Sequence, residues 1–273
     1  MKSSGLCKLT RQPGTFVKSH LIPKALTRAG RIKGEMLLES GPDVSRAINR
    51  PNSWYDRQLV TARGEKILAE YDTEGIQEIR RIGAVWSGRQ DKSLQIQQVD
   101  TDTGVGHLTA KTDHPYKLRL FVLSLLWRSA ATELEEFQNV QMSSEDLEYL
   151  RDLVVSGQSG RSDEFPTVFL CLRGPGLEHN HTPVRQKYES ESSRLEIYRF
   201  YFDGLIILVG DKNAPDEFAR EMKSYLVGFQ NEFFMMARPF KGSRQERDLL
   251  DVMIGEVGPL PPAGRTASNV IES

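Results

Sequence analysis

His20 is the side chain in this sequence whose type and surroundings best suit acid–base chemistry. It lies in the segment FVKSHLIPKAL, with Lys18 and Lys24 on either side. A histidine with an ordinary pKa of about 6.5 is mostly neutral at cellular pH and can accept a proton from water. Hydrolysis of a phosphodiester needs such a base, together with a divalent cation that stabilises the charge developing on the phosphate. The competing interpretation is a histidine that only caps a helix or packs in the core.

The elements around His20 are predicted to be a hairpin, a helix, a loop and a second helix. Extended segments flank the turn dipeptide Pro13-Gly14, and a helix is predicted from Ser19 or His20 to residue 28. Glycines and prolines indicate an irregular loop over residues 30–51. Apolar residues at helical spacing then predict a helix over residues 64–83.

The remainder of the chain is predicted to add buried helices and then a sheet. The apolar run LRLFVLSLLWRSA indicates a buried helix, and Ser143 or Ser144 can cap a second helix in SSEDLEYLRDLVV. FPTVFLCLRG and LEIYRFYFDGLIILVGD are rich in β-branched and aromatic residues, which favours strands. Residues 217–236 return to a helical pattern, and residues 258–273 have the composition of a disordered tail.

The overall charge balance gives no general attraction to a polyanion. The chain of 273 residues has 36 Lys and Arg against 37 Asp and Glu, a net charge of -1. The first 34 residues, however, hold eight basic residues and no acidic residue, so a local basic patch is expected there. A solvated basic segment without a partner is the alternative.

Cysteine usage and hydropathy predict a cytoplasmic protein outside the membrane. Cys7 and Cys171 are the two cysteines, they are far apart, and neither belongs to a CxxC motif, which fits a reducing compartment. The longest apolar run, residues 118–127, is shorter than a bilayer span and contains Arg119.

Several segments resemble the HNH, or His-Me finger, endonucleases. CKLT, KSHLIPKAL and NSWYDRQLVTARGEKILAEYD are similar to the motifs CxxCG, SHIIPKF and LLCxxCExxxxxYE of a group of such bacterial proteins. LRLFVLSLLWRSA and IYRFYFDGL extend the likeness. The resemblance implies an α+β fold with a ββα-metal-like nuclease unit in residues 1–100. An α+β accessory domain, with a helical core, an antiparallel sheet and a C-terminal helix, would follow in residues 101–257.

The resemblance also identifies a zinc site whose ligands are mostly lost. The four positions of the two CxxC pairs are occupied here by Cys7, Thr10, Thr61 and Gly64. One thiolate and two hydroxyls do not make the tetrahedral nitrogen and sulfur site of structural zinc, so none is expected. Packing would replace the metal, through the apolar residues nearby: Leu6, Phe16, Leu59, Val60 and Ile67.

The resemblance assigns His20 as the general base and Glu65 as a ligand of Mg²⁺ or Mn²⁺. A glutamate suits Mg²⁺, although Glu65 is also favoured in the first turn of a helix by the helix dipole. Ser19 stands where many HNH enzymes have an aspartate or histidine ligand. Asn52, or alternatively Asn49, is a candidate for the central asparagine of the motif near the cation.

Two functions are therefore predicted. The first is a metal-dependent DNA endonuclease, with Lys18, Lys24 and Arg28 binding phosphates and Trp54 and Tyr55 available to stack on bases. The second is a catalytically inactive relative that binds nucleic acid or protein. The resemblance implies DNA as the partner, bacterial defence or a mobile element as the setting, and a homo-oligomer or protein partner as a role for the later segments.

Overall fold

The computed structural model describes residues 3–27, 37–40, 48–50, 53–89, 96–99, 104–174, 180–189, 194–214 and 216–254. The strands are β1 (Ser4–Leu6), β2 (Pro13–Thr15), β3 (Ser19–His20), β4 (Leu37–Ser40), β5 (Ile48–Arg50), β6 (Tyr55–Asp56), β7 (Gln98–Val99), β8 (Gly106–Lys111), β9 (Thr167–Arg173), β10 (Asn180–Glu189), β11 (Arg194–Phe202), β12 (Leu205–Gly210) and β13 (Glu232–Pro239). The helices are α1 (Lys24–Thr27), α2 (Ala62–Arg81), α3 (Trp86–Arg89), α4 (Pro115–Ala131), α5 (Ser144–Ser156), α6 (Asp216–Glu221) and α7 (Arg244–Ile254).

A nine-stranded sheet forms the centre of the fold, in the order β5-β4-β10-β11-β12-β9-β13-β8-β7. Strand β4 is parallel to β10, and β13 is parallel to β9. The other neighbouring strands run antiparallel. The predicted α+β class is confirmed, but the sheet is mixed rather than purely antiparallel.

The two faces of the sheet are covered by different helices. Because side chains alternate along a strand, Phe169 and Cys171 of β9 lie on one face and Leu170 and Leu172 on the other. The first face packs against buried residues of α2, α4 and α5. The second packs against Leu249 of α7 and neighbouring apolar residues.

Helix α4 is the buried helix predicted from LRLFVLSLLWRSA. Every residue from 118 to 129 is buried, although two of them are arginines. Arg119 is satisfied by the carbonyl oxygens of Ser159, Glu164 and Phe165, to which its guanidinium donates. The predicted capping of α5 is also confirmed, because the Ser143 hydroxyl accepts a hydrogen bond from the Asp146 amide.

Three local predictions are wrong, and in each case pairing of the backbone replaces the expected structure. Residues 232–236 are not helical, because they belong to β13, which pairs with both β8 and β9. Parts of the predicted loop at 30–51 form the strands β4 and β5, which extend the sheet. The first helix begins at Lys24, since Ser19 and His20 pair with β6 as strand β3.

The N-terminal hairpin also turns earlier than predicted. Pro13 and Gly14 are in β2, paired with Leu6 and Gly5, and the turn lies at residues 8–10. Leu6 was expected to pack in place of zinc but is 56% exposed, because the strand directs it away from the core. Leu59 and Val60 are fully buried, as predicted.

One hydrophobic core joins the early and late parts of the chain. A single cluster of buried residues extends from Cys7 and Leu68 to Phe121 and Ala237. The core therefore continues across residue 100, where the sequence suggested a boundary. The proposed tail at 258–273 lies outside the described residues.

Gly75 sets the spacing between α2 and α4, which gives a prediction about stability. A β-carbon at this position would lie 2.2 Å from Cγ of the buried Phe121 ring. We expect Gly75→Ala to lower the free energy of unfolding by about 1–3 kcal/mol in urea denaturation, as overpacking of a core usually does. An increase of about 1 kcal/mol, the ordinary gain for alanine over glycine in a helix, would contradict this close contact. Thr73→Ala, on the exposed side of α2, is the control and should leave stability nearly unchanged.

Candidate catalytic cleft

The hairpin next to His20 is held by a cluster around the sulfur of Cys7. The Thr10 amide donates to Cys7 Sγ at 3.4 Å, and a β-carbon on Gly64 would lie only 2.8 Å from this sulfur. Burial raises the pKa of the Cys7 thiol, but hydrogen bonds with Thr10 and Thr61 outweigh this effect and lower it overall. The four positions that the resemblance equates with zinc ligands thus lie together. Their side chains do not fit structural zinc, because they supply one sulfur and two hydroxyls.

His20 is held in place by backbone pairing and by a buried arginine. Its strand, β3, pairs with β6 so that His20 lies opposite Tyr55, and the two rings make an edge contact with centroids 6.2 Å apart. The His20 carbonyl accepts a hydrogen bond of 3.0 Å from Nη1 of Arg128. The backbone of His20 is therefore fixed from both sides, while Nε2 of its ring is buried without a hydrogen-bond partner among the described residues.

Glu65 enters the same region from the first turn of α2. Thr61 precedes this helix but makes no side-chain capping bond, and Glu65 is the acidic residue of the first turn. Oε2 of Glu65 and Oγ of Ser19 are both buried, and within the described ranges neither has a hydrogen-bond partner of normal geometry. Ser19 itself is fully buried. Ser19, His20 and Glu65 thus bring three buried polar atoms into one small region, where the Ser19 hydroxyl is close enough to the Glu65 carboxyl group to affect its pKa.

His20 and Glu65 line one open cleft of about 390 Å³ between the segment after β3 and the side of α2. The charged residues of its wall are Lys24, Glu65, Asp72 and Arg80. Arg80 donates to the carbonyl of Ala25 at 2.9 Å, which ties the far end of α2 to helix α1. The cleft thus brings together the imidazole and the carboxylate predicted from the sequence, in a wall that carries two basic and two acidic side chains.

The surroundings of His20 keep its imidazole neutral. Burial lowers the pKa of His20, and the positive charges of Lys18, Lys24 and Arg128 lower it further, against a smaller opposing effect of Asp72. A neutral imidazole is the form that accepts a proton. The pKa of Glu65 is raised by burial, while the Ser19 hydroxyl and Arg128 oppose the rise. A nearby cation would favour the ionised form of this carboxyl group.

A buried ion pair of Arg128 and Asp72 supports the cleft and was not identified from the sequence. The guanidinium donates to both carboxylate oxygens of Asp72, at 3.0 and 2.6 Å, in addition to the His20 carbonyl. Its side chain is 1% exposed and that of Asp72 is 20% exposed. Asp72 lies two helical turns after Glu65 on α2, and Arg128 interrupts the apolar run of α4. These were the signals in the sequence that could have pointed to the pair.

Of the residues predicted to contact nucleic acid, some lie at the cleft and others do not. Lys24 lines the cleft, and Lys18 lies next to it with Nζ 3.9 Å from the centroid of the Tyr55 ring. Trp54 is not available to stack on a base, because it is 4% exposed and packs against Phe137. Arg28 and Asn52, the third basic residue and the candidate asparagine, lie outside the described residues.

The donor atoms of the cleft fit a hard divalent cation that is shared with a substrate. The Glu65 carboxylate supplies the oxygen donors that Mg²⁺ and Mn²⁺ prefer, whereas Asp72 is engaged by Arg128 and the fully buried Ser19 does not line the cleft. Across the described ranges, no three His, Cys, Asp or Glu side chains come together as a metal-binding group. One carboxylate completed by water and phosphate is the arrangement that Mg²⁺ often uses.

Comparison with protein families, curated proteins and solved structures finds no match. Among the described helices, none combines the length and the apolar character that crossing a membrane requires.

Proposed function

We propose that this protein is a metal-dependent endonuclease of the HNH type that cleaves DNA, with His20 as the general base. The observation that carries the proposal is the shared cleft of His20 and Glu65, in which Nε2 of the imidazole and Oε2 of the carboxylate are left without partners. Buried polar atoms are normally satisfied, so two such unpaired atoms, on side chains that line one cleft, favour a ligand-binding role for that cleft.

His20 would take a proton from the attacking water. Its lowered pKa leaves the ring neutral at cellular pH, and the Arg128 bond to its carbonyl holds the residue in place. A divalent cation held by Glu65 would stabilise negative charge on the phosphate and the leaving oxygen. Lys24 and Arg80 on the cleft wall, with Lys18 beside it, would bind phosphates on either side of the cleaved bond.

The localisation that we propose is the cytoplasm. Cys7 and Cys171 are both buried free thiols, which is the state expected in a reducing compartment.

The test is conversion of supercoiled plasmid DNA to nicked and linear forms by the full chain. We expect cleavage with Mg²⁺ or Mn²⁺ and none with EDTA. Glu65→Gln keeps the size of the side chain but removes its charge, so it should require a higher metal concentration for the same rate. Glu70→Gln, an exposed position on the same helix, is the matched control and should leave the metal requirement unchanged. Failure of the parent protein to cleave with either metal would reject the proposal.

One observation favours the inactive binding module as a second candidate. Ser19 replaces the usual acidic or histidine ligand, and the described residues form no metal-binding group of three. This candidate predicts DNA binding without cleavage, weakened when Lys18 and Lys24 are replaced by glutamate. DNA binding, measured in EDTA by fluorescence anisotropy, together with no cleavage in Mg²⁺ or Mn²⁺, would favour the binding module.

A further inference from the structure

The two-stranded ribbon of β3 and β6 has one buried face and one face at the surface. Ser19 pairs with Asp56, and both residues are buried, at 0% and 8% exposure. The next pair, His20 and Tyr55, is partly exposed, because successive side chains of a strand point to opposite faces. The surface face of this ribbon therefore presents Tyr55 beside the proposed general base.

Two cations lie on the ring of Tyr55. Lys18 precedes β3, and its Nζ is 3.9 Å from the ring centroid. Arg57 follows β6, and its Cζ is 5.4 Å from the same centroid. Both distances are within the range of about 6 Å at which an aromatic ring attracts a cation. The ring thus holds an ammonium and a guanidinium group at the ribbon surface, next to His20.

These cations lack an anionic partner within the described part of the chain. Neither Lys18 nor Arg57 forms an ion pair there. Asp56, the acidic residue of the ribbon, is turned inward, where its carboxylate accepts the Gln58 amide and the Thr132 hydroxyl, both at 2.7 Å. Exposed cations alone usually indicate only a solvated surface. Here an aromatic ring aligns them beside a candidate active site, an arrangement that complements the phosphates of a nucleic acid.

We propose that Lys18 and Arg57, positioned by Tyr55, bind the phosphates of a DNA strand that continues beyond the cleft. The inference rests on the proposed function, since that function identifies DNA as the ligand. Lys18 and His20 are two residues apart, which is at most about 7 Å along the chain. Because successive nucleotides of a duplex rise about 3.4 Å per strand, the contacted phosphate would lie about two nucleotides from the cleaved bond. The substrate is then a polynucleotide and not a dinucleotide that only fills the cleft.

The test is DNA binding by the full chain in EDTA, measured by fluorescence anisotropy on a labelled duplex of about 20 base pairs between about 50 and 200 mM salt. Arg57→Gln should reduce the slope of log affinity against log salt by about 0.9, the value for one lost phosphate contact. Extrapolated from about 1 M salt, this change of slope equals about eightfold weaker binding at about 0.1 M salt. The variant should fold, because Arg57 is exposed.

Two substitutions of Tyr55 separate alignment of the cations from stacking on a base. Tyr55→Phe keeps the ring and should bind DNA like the parent protein. Tyr55→Leu removes the ring and should reduce the salt slope, because Lys18 and Arg57 lose their common position. Loss of stacking alone would weaken binding by the same factor at every salt concentration, and that result would contradict the positioning role.

The matched control is Arg247→Gln, which removes the same charge from an exposed position of α7, on the opposite face of the central sheet from α2 and α4. It should change the affinity by less than about twofold, because distant exposed charges are screened by salt. Equal effects of Arg57→Gln and Arg247→Gln, or no DNA binding by the parent protein, would overturn the inference. A dinucleotide that binds as tightly as the duplex would do the same.

Failure of this inference is distinguishable from failure of the proposed function. Binding in EDTA does not require catalysis, whereas plasmid cleavage does. If the parent protein binds DNA and Arg57→Gln has the expected effect, but no cleavage occurs with Mg²⁺ or Mn²⁺, the nuclease is rejected and the ribbon is retained as a DNA contact. If the parent protein cleaves but Arg57→Gln binds with an unchanged salt slope, only the ribbon is rejected.

Discussion

Replacement of His20 by asparagine is expected to lower the rate of DNA cleavage by about 10²- to 10⁴-fold, the usual contribution of a general base. Asparagine keeps a polar side chain of similar reach but cannot accept a proton at neutral pH. The fold should persist, because Arg128 bonds the backbone carbonyl of residue 20 and not its ring. The measurement is the initial rate of plasmid nicking at saturating Mn²⁺, with circular dichroism to verify folding.

The matched control is His107→Asn, which replaces another half-buried histidine outside the cleft. His107 lies in β8 and is hydrogen-bonded to the Tyr225 hydroxyl at 2.6 Å. This variant should cleave at nearly the parent rate at temperatures where it is folded. If His20→Asn and His107→Asn cleave equally well, His20 is not the base.

The pH dependence of the same reaction follows from the lowered pKa of His20. Burial and the nearby cations move the protonation of the imidazole below its ordinary value of about 6.5. Cleavage should therefore persist as the pH falls through 6.5 and decline only at more acidic pH. The pKa of Glu65 is raised, so its protonation could also lower the rate at acidic pH. Saturating metal keeps the Glu65 carboxylate ionised and removes this contribution. A midpoint above pH 6.5 would contradict the role of His20.

The sequence was most informative where one local signal determines the structure. The apolar run of α4 and the serine before α5 each specify their element without help from distant residues. The proximity of His20 and Glu65 was expected only from the resemblance, because the 44 residues between them in sequence give no spacing rule. The structure nevertheless places both in one cleft.

Elements that depend on distant partners were predicted poorly. Strand β13 contains FFMMA, an apolar run that suits either a helix or a buried strand, and its pairing with β8 and β9 decides between them. Trp54 appeared to be available in a loop, but Phe137, far along the chain, covers it. Asp72 and Arg128 likewise gain their role only when α2 and α4 pack together.

Arg128→Met is expected to lower the free energy of unfolding by about 3–5 kcal/mol, because it leaves the largely shielded Asp72 carboxylate without its cation. The pair is largely removed from solvent, at 1% and 20% side-chain exposure. Urea denaturation measures the change. Lys111→Met breaks the exposed pair with Glu232, at 77% and 57% exposure, and should cost less than about 1 kcal/mol.

The double variant Arg128→Met, Asp72→Leu separates the ion pair from the positioning of His20. Removal of both charges takes away the uncompensated carboxylate, so much of the lost stability should return, as it often does when a buried pair becomes apolar. Cleavage should not return with it, because the His20 carbonyl still lacks the donor at 3.0 Å that holds the residue. Recovery of both stability and cleavage would mean that Arg128 acts only on the fold. Recovery of stability alone would support a positioning role for the Arg128–Asp72 pair in the cleft.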